Sequence, residues 1–539
     1  MLPKDIVIIG GGHNGLVAAA YLAREGHHVR ILEARPQLGG AASTNTTLFP
    51  GKKVSEFSYL NSLMLSEIVR DLNLKRFGYE VLLRNPSSFT PCLHGPSLLL
   101  GPDMAFNQAQ IAQFSKHDAE MYPLYEERLG ELGKWMAKIM TMIPPSGPWP
   151  RKRSDVVSLL RLALHALQLN PVQMLRLRKL LFTDPVKYLD AKYGGWFESD
   201  VLIATLITDA MIGATKLSGY VLLHHVMGEA GGTRGIWGYS RGGMGGISKA
   251  LEGACREHGV RFVFNAQAER IVTAKQHVSG VLANIRDSSD GTLTQRFFPA
   301  EIVISAVNPT ITFGRLLEKE SVVDKIRKKV LARDCESASM KINLILKGVP
   351  NFRAMPGTNP GPQHQGTIHI APPVECVQAA LRDYEAGMAS SRPILEITIP
   401  SVVDETLAPA GFHVMNIFLQ FYPYSPDGEY WQKRKVDYFW ETVMPLLRDY
   451  ISNIDGILED FSILTPRDIE RELGMIGGNI FHGGMGLDQL GWNRPAPGCA
   501  DYRVPGIGGL YLSGAGTHPG GGVCGAAGLN AARVILSDL

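Results

Sequence analysis

An apolar β-branched run at Asp5–Ile9, helical character over 16–24 and a second apolar run at 29–32 make the amino terminus read as strand, turn, helix, strand. Residues 6–23 carry no charge and approach membrane-spanning length. Gly10, Gly11, Gly12, His13, Asn14 and Gly15 interrupt them, however, and that interruption predicts a turn rather than a span. Only Met1, Leu2, Pro3 and Lys4 precede the first strand, so no signal or transit peptide is expected ahead of it. Further on, Met121, Leu124, Leu129, Leu132, Met136, Ile139 and Ile143 recur near helical spacing until Pro144, Pro145, Pro148 and Pro150 end the pattern, and a helical region is expected over 115–232. Gly242, Gly243, Gly245 and Gly246 open a predicted helix reaching His258, and the apolar runs at 260–264 and 301–305 predict a return to the first sheet. From 338 onward, alternating or wholly apolar runs at 341–346, Thr367–Ile370, 394–399 and 414–421 predict a second, partly antiparallel sheet. A last strand is expected at 510–513 and a last helix from about 524 to 536, with no internal repeat or low-complexity tract.

Composition narrows this α/β picture without redirecting it. A chain of 539 residues with 45% hydrophobic and 19% charged positions is globular and large enough for several domains. Its net charge of +3 is too small for whole-surface binding of nucleic acid or of an anionic membrane, so no nucleic-acid partner is expected and any electrostatic partner must meet a local patch. Cys92, Cys255, Cys335, Cys376, Cys499 and Cys524 are too widely spaced for a CxxC pair, a zinc knuckle or a dense disulfide framework, which points to a reducing compartment.

The chemistry sits at the two ends. Gly10, Gly12 and Gly15 fit GxGxxG directly after a strand and at a helix start, where glycine lets a pyrophosphate approach backbone N–H groups and the positive end of the helix. Glu33 closes the second strand near the ~20-residue spacing at which a carboxylate meets the adenosine ribose hydroxyls. Ala34, Arg35, Gly39, Gly40 and Ala41 continue it in the manner of an ExxxxxGG extension, which favours FAD over NAD. At the carboxyl end, Gly514, Ala515, Gly521, Gly522 and Val523 lie in a glycine-rich stretch before the last helix, a source of backbone donors for an anionic reduced flavin. The turn around Gly243 lacks the third spaced glycine of a second dinucleotide site, so one FAD and no dedicated NAD(P)H domain are expected.

The strings GGGHNGLVAAAYL at Gly10, LEARPQLGGAA at Leu32, GGMGGISKAL at Gly242 and GLYLSGAGTHPGGGVCGAAG at Gly509 resemble, over nearly the whole chain, the phytoene desaturase and carotenoid/retinoid oxidoreductase family of flavoproteins. The resemblance implies a discontinuous Rossmann-like FAD-binding domain (1–75, 236–335, 481–539), a mixed-sheet substrate domain (76–115, 336–480) and a helical cap (116–235). It also implies that Ala268 stands where relatives place Val beside adenine, contributing mainly its backbone. Ala515 replaces the Asp or Glu that some relatives carry, which removes a side-chain contact near the ribityl phosphate. By the same resemblance the protein is expected in the mitochondrial matrix if its source is an animal, with a respiratory-chain protein as a partner; a cytoplasmic prokaryotic home fits the sequence equally.

The expected reaction is removal of hydride from a hydrophobic small molecule, with electrons passing to oxygen or a quinone; a flavin-containing regulatory or scaffold protein and an amine oxidase are the alternatives. His518, in the flavin-facing glycine segment, and His482, in NIFHGG, are the candidate acid–base groups, each set against a purely architectural role. His224 and His225 lack a third ligand by spacing, so no metal is expected. Cys524 reads as a small buried residue rather than a covalent flavin attachment. Residues 151–182 combine Arg151, Lys152, Arg153, Arg161, Arg176, Arg178 and Lys179, against Asp155 alone, with a broad apolar helical face. That face is expected to pack as an internal cap, meet a partner subunit or touch a membrane surface.

Overall fold

The computed structural model describes residues 2–210, 218–230, 232–318, 323–370, 373–424 and 428–539; Met1, two stretches of the expected helical region (211–217 and 231) and the side chain of His225 lie outside the described residues. Five strands from the beginning, middle and end of the chain form one parallel sheet in the order Arg261–Val263, His28–Leu32, Asp5–Ile9, Ile302–Ser305, Leu510–Leu512. The apolar runs that predicted these strands are continuous because both faces of the sheet are covered. Ile6, Ile8, Ile302 and Ile304 point to the helices His13–Arg24, Gly245–Glu257 and Ala526–Asp538. Val7, Ile9, Val303 and Leu512 point to the opposite layer, where Ala266–Ala274, His277–Arg286 and Leu293–Pro299 make a three-stranded antiparallel sheet.

Two expected helix starts move inward. Gly242 and Gly243 have φ of 77° and 79°, and Gly525 has φ of 75°. These left-handed residues belong to the turns, so the helices begin at Gly245 and Ala526.

The second sheet has seven strands, in the order Leu458–Leu464, Ser339–Leu346, His413–Gln420, Ile394–Thr398, Thr367–Ile370, Ser88–Thr90, Leu98–Leu100. All pairings are antiparallel except Thr367–Ile370 with Ser88–Thr90. Met340, Ile342, Leu395, Ile397, Met415 and Ile417 point into an apolar core. Lys341, Asn343, His369, Glu396, Asn416 and Gln420 alternate with them onto the other face, and they are buried as well. The cap helix Asp200–Ala210 lies across that polar face: Gln420 Nε2 donates to the Thr208 carbonyl (3.0 Å), and the Thr205 and Thr90 hydroxyls pair at 2.7 Å. Other described helices of this region include Lys116–Ile139, Arg153–Ala166, Pro171–Phe182, Pro185–Leu189 and Tyr220–Val226. Among the described residues no helix is long and apolar enough to cross a membrane.

Candidate active site

A cavity of about 540 Å³ opens at the carboxyl ends of the parallel strands, where an open α/β sheet offers helix N-termini to a ligand. Gly10, Gly12, His13, Asn14, Gly15, Glu33, Ala34, Arg35, Gly40, Ala41, Ala268 and Ala515 line it, so residues separated by most of the chain share one wall. The turn works through two different glycines. A Cβ on Gly15 would sit 2.3 Å from the Gly10 carbonyl oxygen, so Gly15 lets the helix press on the turn. A Cβ on Gly12 would meet nothing within 4 Å, because it would project into the cavity itself.

Glu33 is buried with Oε2 accepting from the Gly11 N–H (2.7 Å) and Oε1 from the Arg35 N–H (2.9 Å). Burial raises its pKa, and these two N–H groups oppose the rise. The carboxylate is therefore held in place beside the cavity. Arg35 turns its guanidinium away to Glu56 (2.7 Å), leaving its backbone to the cavity wall. Ala268 lines the wall, and its carbonyl accepts from the Arg315 guanidinium at 3.0 Å.

Gly11, Gly39, Gly514 and Gly521 are not among the lining residues. They let neighbouring segments approach: a Cβ on Gly521 would lie 2.3 Å from Phe481 Cα, and one on Gly514 would lie 2.6 Å from the Ala306 carbonyl.

A second, smaller cavity of about 120 Å³ shares His13, Ala41, Met475, His482 and Ala515 with the first. Gly522 and Val523 line only this smaller space, with Phe57, Tyr59, Trp237, Phe418 and Phe481 making it largely aromatic. Asp209 and His224 are its other ionisable lining groups.

His482 stands at the junction of the two cavities, in a left-handed backbone conformation (φ 57°), and its Nδ1 has no partner. Burial, reinforced by Arg494, His13 and Arg333, drives its pKa down to about 3. His13 joins it there, buried, with Nε2 unpartnered and its pKa lowered by burial to about 4. Both rings are neutral at physiological pH and offer a hydrogen bond without a charge. His518 lines neither cavity: its Nε2 bonds to the Ile139 carbonyl (2.9 Å), which ties the glycine turn to the end of a cap helix. His482 thus lines both cavities, whereas His518 stands outside them behind the glycine turn. Cys524 likewise lines neither cavity, and burial pushes its thiol up to about 11.

The residues fit the FAD expected from the sequence. The open face of Gly12 leaves room for a diphosphate. Glu33 is fixed where a ribose would lie. The unpartnered His13 Nε2, His482 Nδ1 and Asn308 Nδ2 belong to residues of the cavity wall and lack hydrogen bonds that a polar ligand would complete.

Two sets of buried groups escaped sequence reasoning. Arg494 is fully buried and donates to the carbonyls of Gly484 (2.9 Å), Ala515 (3.2 Å) and Phe481, while Arg333 reaches the Gly516 carbonyl at 3.4 Å. Two cations thus stand behind the turn that closes the larger cavity. Burial, with Arg333 nearby, lowers Arg494 to about 9. The other set is Tyr59, Glu396 and Lys341. The Tyr59 hydroxyl donates to Glu396 Oε1 (2.8 Å), Lys341 Nζ lies 5.5 Å from the Tyr59 ring centroid, and Nζ is held by Asn343 (2.6 Å) and Asn416 (2.9 Å). Burial and the nearby Asp209 raise Glu396 to about 8, and burial lowers Lys341 well below its ordinary value.

Residues 8–68 match the model of an NAD(P)-binding Rossmann-like domain. The fold is shared, at 14% identity and a TM-score of 0.58 over 100% of this chain and 99% of the other, with putrescine oxidase solved with putrescine bound. A phytoene desaturase (lycopene-forming) of Pseudescherichia vulneris is 25% identical over 99% of this chain and 100% of its own. Pyridine nucleotide-disulfide oxidoreductase domain-containing protein 2 of Rattus norvegicus is 40% identical over 99% of this chain and 94% of the rat protein. That identity, sustained from the glycine turn to the last helix, makes the chain a member of the pyridine nucleotide-disulfide oxidoreductase domain-containing protein 2 family.

Proposed function

We propose that the protein is an FAD-dependent oxidoreductase that takes hydride from a hydrophobic substrate in the smaller cavity and passes the electrons to oxygen or a quinone. One observation carries this reading: a cavity with the features of a dinucleotide cradle and a largely aromatic cavity share His13, Ala41, Met475, His482 and Ala515 as a common wall. A ligand in the first would present one end to a substrate in the second.

When bound, FAD supplies the hydride acceptor. The chain does the rest. Backbone N–H groups at the start of helix His13–Arg24 would hold the diphosphate, and Glu33 would hold the ribose. Arg494 and Arg333 favour an electron-rich ring system, because one buried and one half-buried cation behind the Ala515 and Gly516 carbonyls make that region positive. Phe57, Trp237, Phe418 and Phe481 exclude water from the substrate. Tyr59 lines the same cavity, and the hydrogen bond its hydroxyl donates to Glu396 fixes its ring in the cavity wall. No cysteine lines either cavity among the described residues, which supports a reading without a cycling dithiol.

The deciding experiment is an anaerobic screen of flavin bleaching against hydrophobic metabolites and isoprenoid lipids. Rapid bleaching by one class is the expected result. A flavin inert to the whole panel, with a stable protein partner recovered in pull-downs, would replace this reading with the regulatory or scaffold role near the respiratory chain. A second reading has its own support: the Asp209 carboxylate in an aromatic cavity is suited to a cationic amine. Bleaching by amines alone would select it. Location in the mitochondrial matrix, for an animal source, rests on the resemblance and is tested by fractionation.

A further inference from the structure

The helical hairpin Arg153–Ala166 and Pro171–Phe182 carries its apolar residues on the outside. Leu167, Leu175 and Phe182 are 79%, 67% and 76% exposed, and Val156, Leu160 and Leu164 extend the exposed apolar surface along the first helix. The hairpin is nonetheless firmly seated. His165 stacks on Trp135 with ring centroids 4.8 Å apart, and the two exchange hydrogen bonds with each other's carbonyls at 2.9 and 3.0 Å. Asp155 is buried and accepts from Ser146 and Arg151, and Leu180 is buried on the inner side. The outward face is therefore a built surface of a kind that marks an interaction site.

The charges around it select the occupant. The side chains of Arg151, Arg153, Arg161 and Arg178 are exposed along the same hairpin, and among the described residues none is paired with a carboxylate; Arg176 is half-buried toward Tyr188 on the inner side. The single acid of the segment, Asp155, is spent inside. A second copy docked about a two-fold axis would press this basic, apolar patch against itself, setting like charges together. An anionic bilayer supplies both complements, headgroup charge for the arginines and an acyl boundary for the leucines.

We propose that this hairpin is a docking surface for an anionic lipid bilayer, lying in the plane of the interface and holding the protein reversibly without spanning it. The proposal stands independently of the substrate, and its test requires no turnover. The full-length, flavin-loaded protein is floated with phosphatidylcholine vesicles, with and without cardiolipin, at low and physiological salt. Binding is expected only with cardiolipin and weaker at the higher salt. Arg161→Glu with Arg178→Glu should weaken binding about tenfold and flatten the salt dependence. Leu164→Glu with Leu175→Glu should lower it at least as far, and both variants should keep the wild-type flavin spectrum and melting temperature. Wild-type protein that ignores cardiolipin vesicles at low salt overturns the proposal. So does equal binding by both variants, or a wild-type dimer that Leu164→Glu dissociates, which would make the face a contact between copies.

Discussion

Gly12→Val separates the cradle from the fold. Gly12 caps helix His13–Arg24 with φ −68° and ψ 166°, a conformation that valine adopts readily, and a Cβ there would touch nothing within 4 Å. The substitution should therefore change the stability of the cofactor-free protein by no more than about 1 kcal/mol. The same side chain occupies the space a diphosphate must enter and holds it off the N–H groups of the turn. Loss of about 3 kcal/mol of those contacts weakens FAD binding by roughly a hundredfold. Gly15→Val is the internal contrast: its Cβ would lie 2.3 Å from the Gly10 carbonyl oxygen, so the turn itself must move, at about 1–3 kcal/mol or more. The assay pairs thermal melting of the cofactor-free proteins with visible flavin absorbance after reconstitution. FAD at about a hundred times its Kd stabilises a protein by about 2.7 kcal/mol, so wild type should melt higher with FAD and Gly12→Val should not. A yellow Gly12→Val protein, or one destabilised as much as Gly15→Val, would refute the placement of the diphosphate.

Acid should destabilise the protein through His13, His482 and His518, whose pKa values are lowered to about 4, 3 and 4. The unfolded chain takes up these protons first, so stability is full above about 6.5 and falls as pH drops toward 4, by roughly 3 kcal/mol per histidine; urea midpoints that stay flat from about pH 7 to 4.5 would contradict it. Glu396 has the opposite sign: with its carboxyl raised to about 8, the unfolded chain releases the proton first, and wild-type stability falls as pH rises from about 4.5 toward 8. Glu396→Gln should remove that slope, which is of order a few kcal/mol, and the comparison of urea unfolding at about pH 6 and pH 9 measures it. NADPH should reduce the bound flavin slowly and without saturation in anaerobic stopped-flow mixing, since the turn at Gly243 lacks the third glycine of a second dinucleotide site. Fast, saturable bleaching would count against a single-dinucleotide protein.

The parts legible in the sequence are those whose causes are local. Strand Asp5–Ile9 is apolar from Ile6 onward because both faces of its sheet are buried, and the glycines after it follow from a turn that must admit both a helix and a ligand. The placement of His518 is not local: its ring bonds to the Ile139 carbonyl, 379 residues away, and nothing near His518 signals that partner. Arg494 is similar, since a buried arginine is intelligible only once the carbonyls of Phe481, Gly484 and Gln489 and that of the distant Ala515 surround it.

The polar face of the seven-stranded sheet is the instructive case, because its signal is present and points the wrong way. In SMKINLIL at Ser339, TIHI at Thr367 and ILEIT at Ile394, polar residues alternate with apolar ones, a pattern that ordinarily marks one face in water. Here Lys341, His369 and Glu396 are all buried. Burying a lysine and a glutamate within one sheet is costly unless each finds partners, so such a face persists only where the fold supplies them. Asn343 and Asn416 hold Lys341, Tyr59 holds Glu396, and the cap helix Asp200–Ala210 closes the face with Thr208 against His369 at 3.3 Å. A lysine and a glutamate on the inner strands of a sheet, in a chain that also carries a helical insertion long enough to cover them, therefore mark a roofed polar floor. In this protein that floor lies behind Tyr59, on the wall of the aromatic cavity.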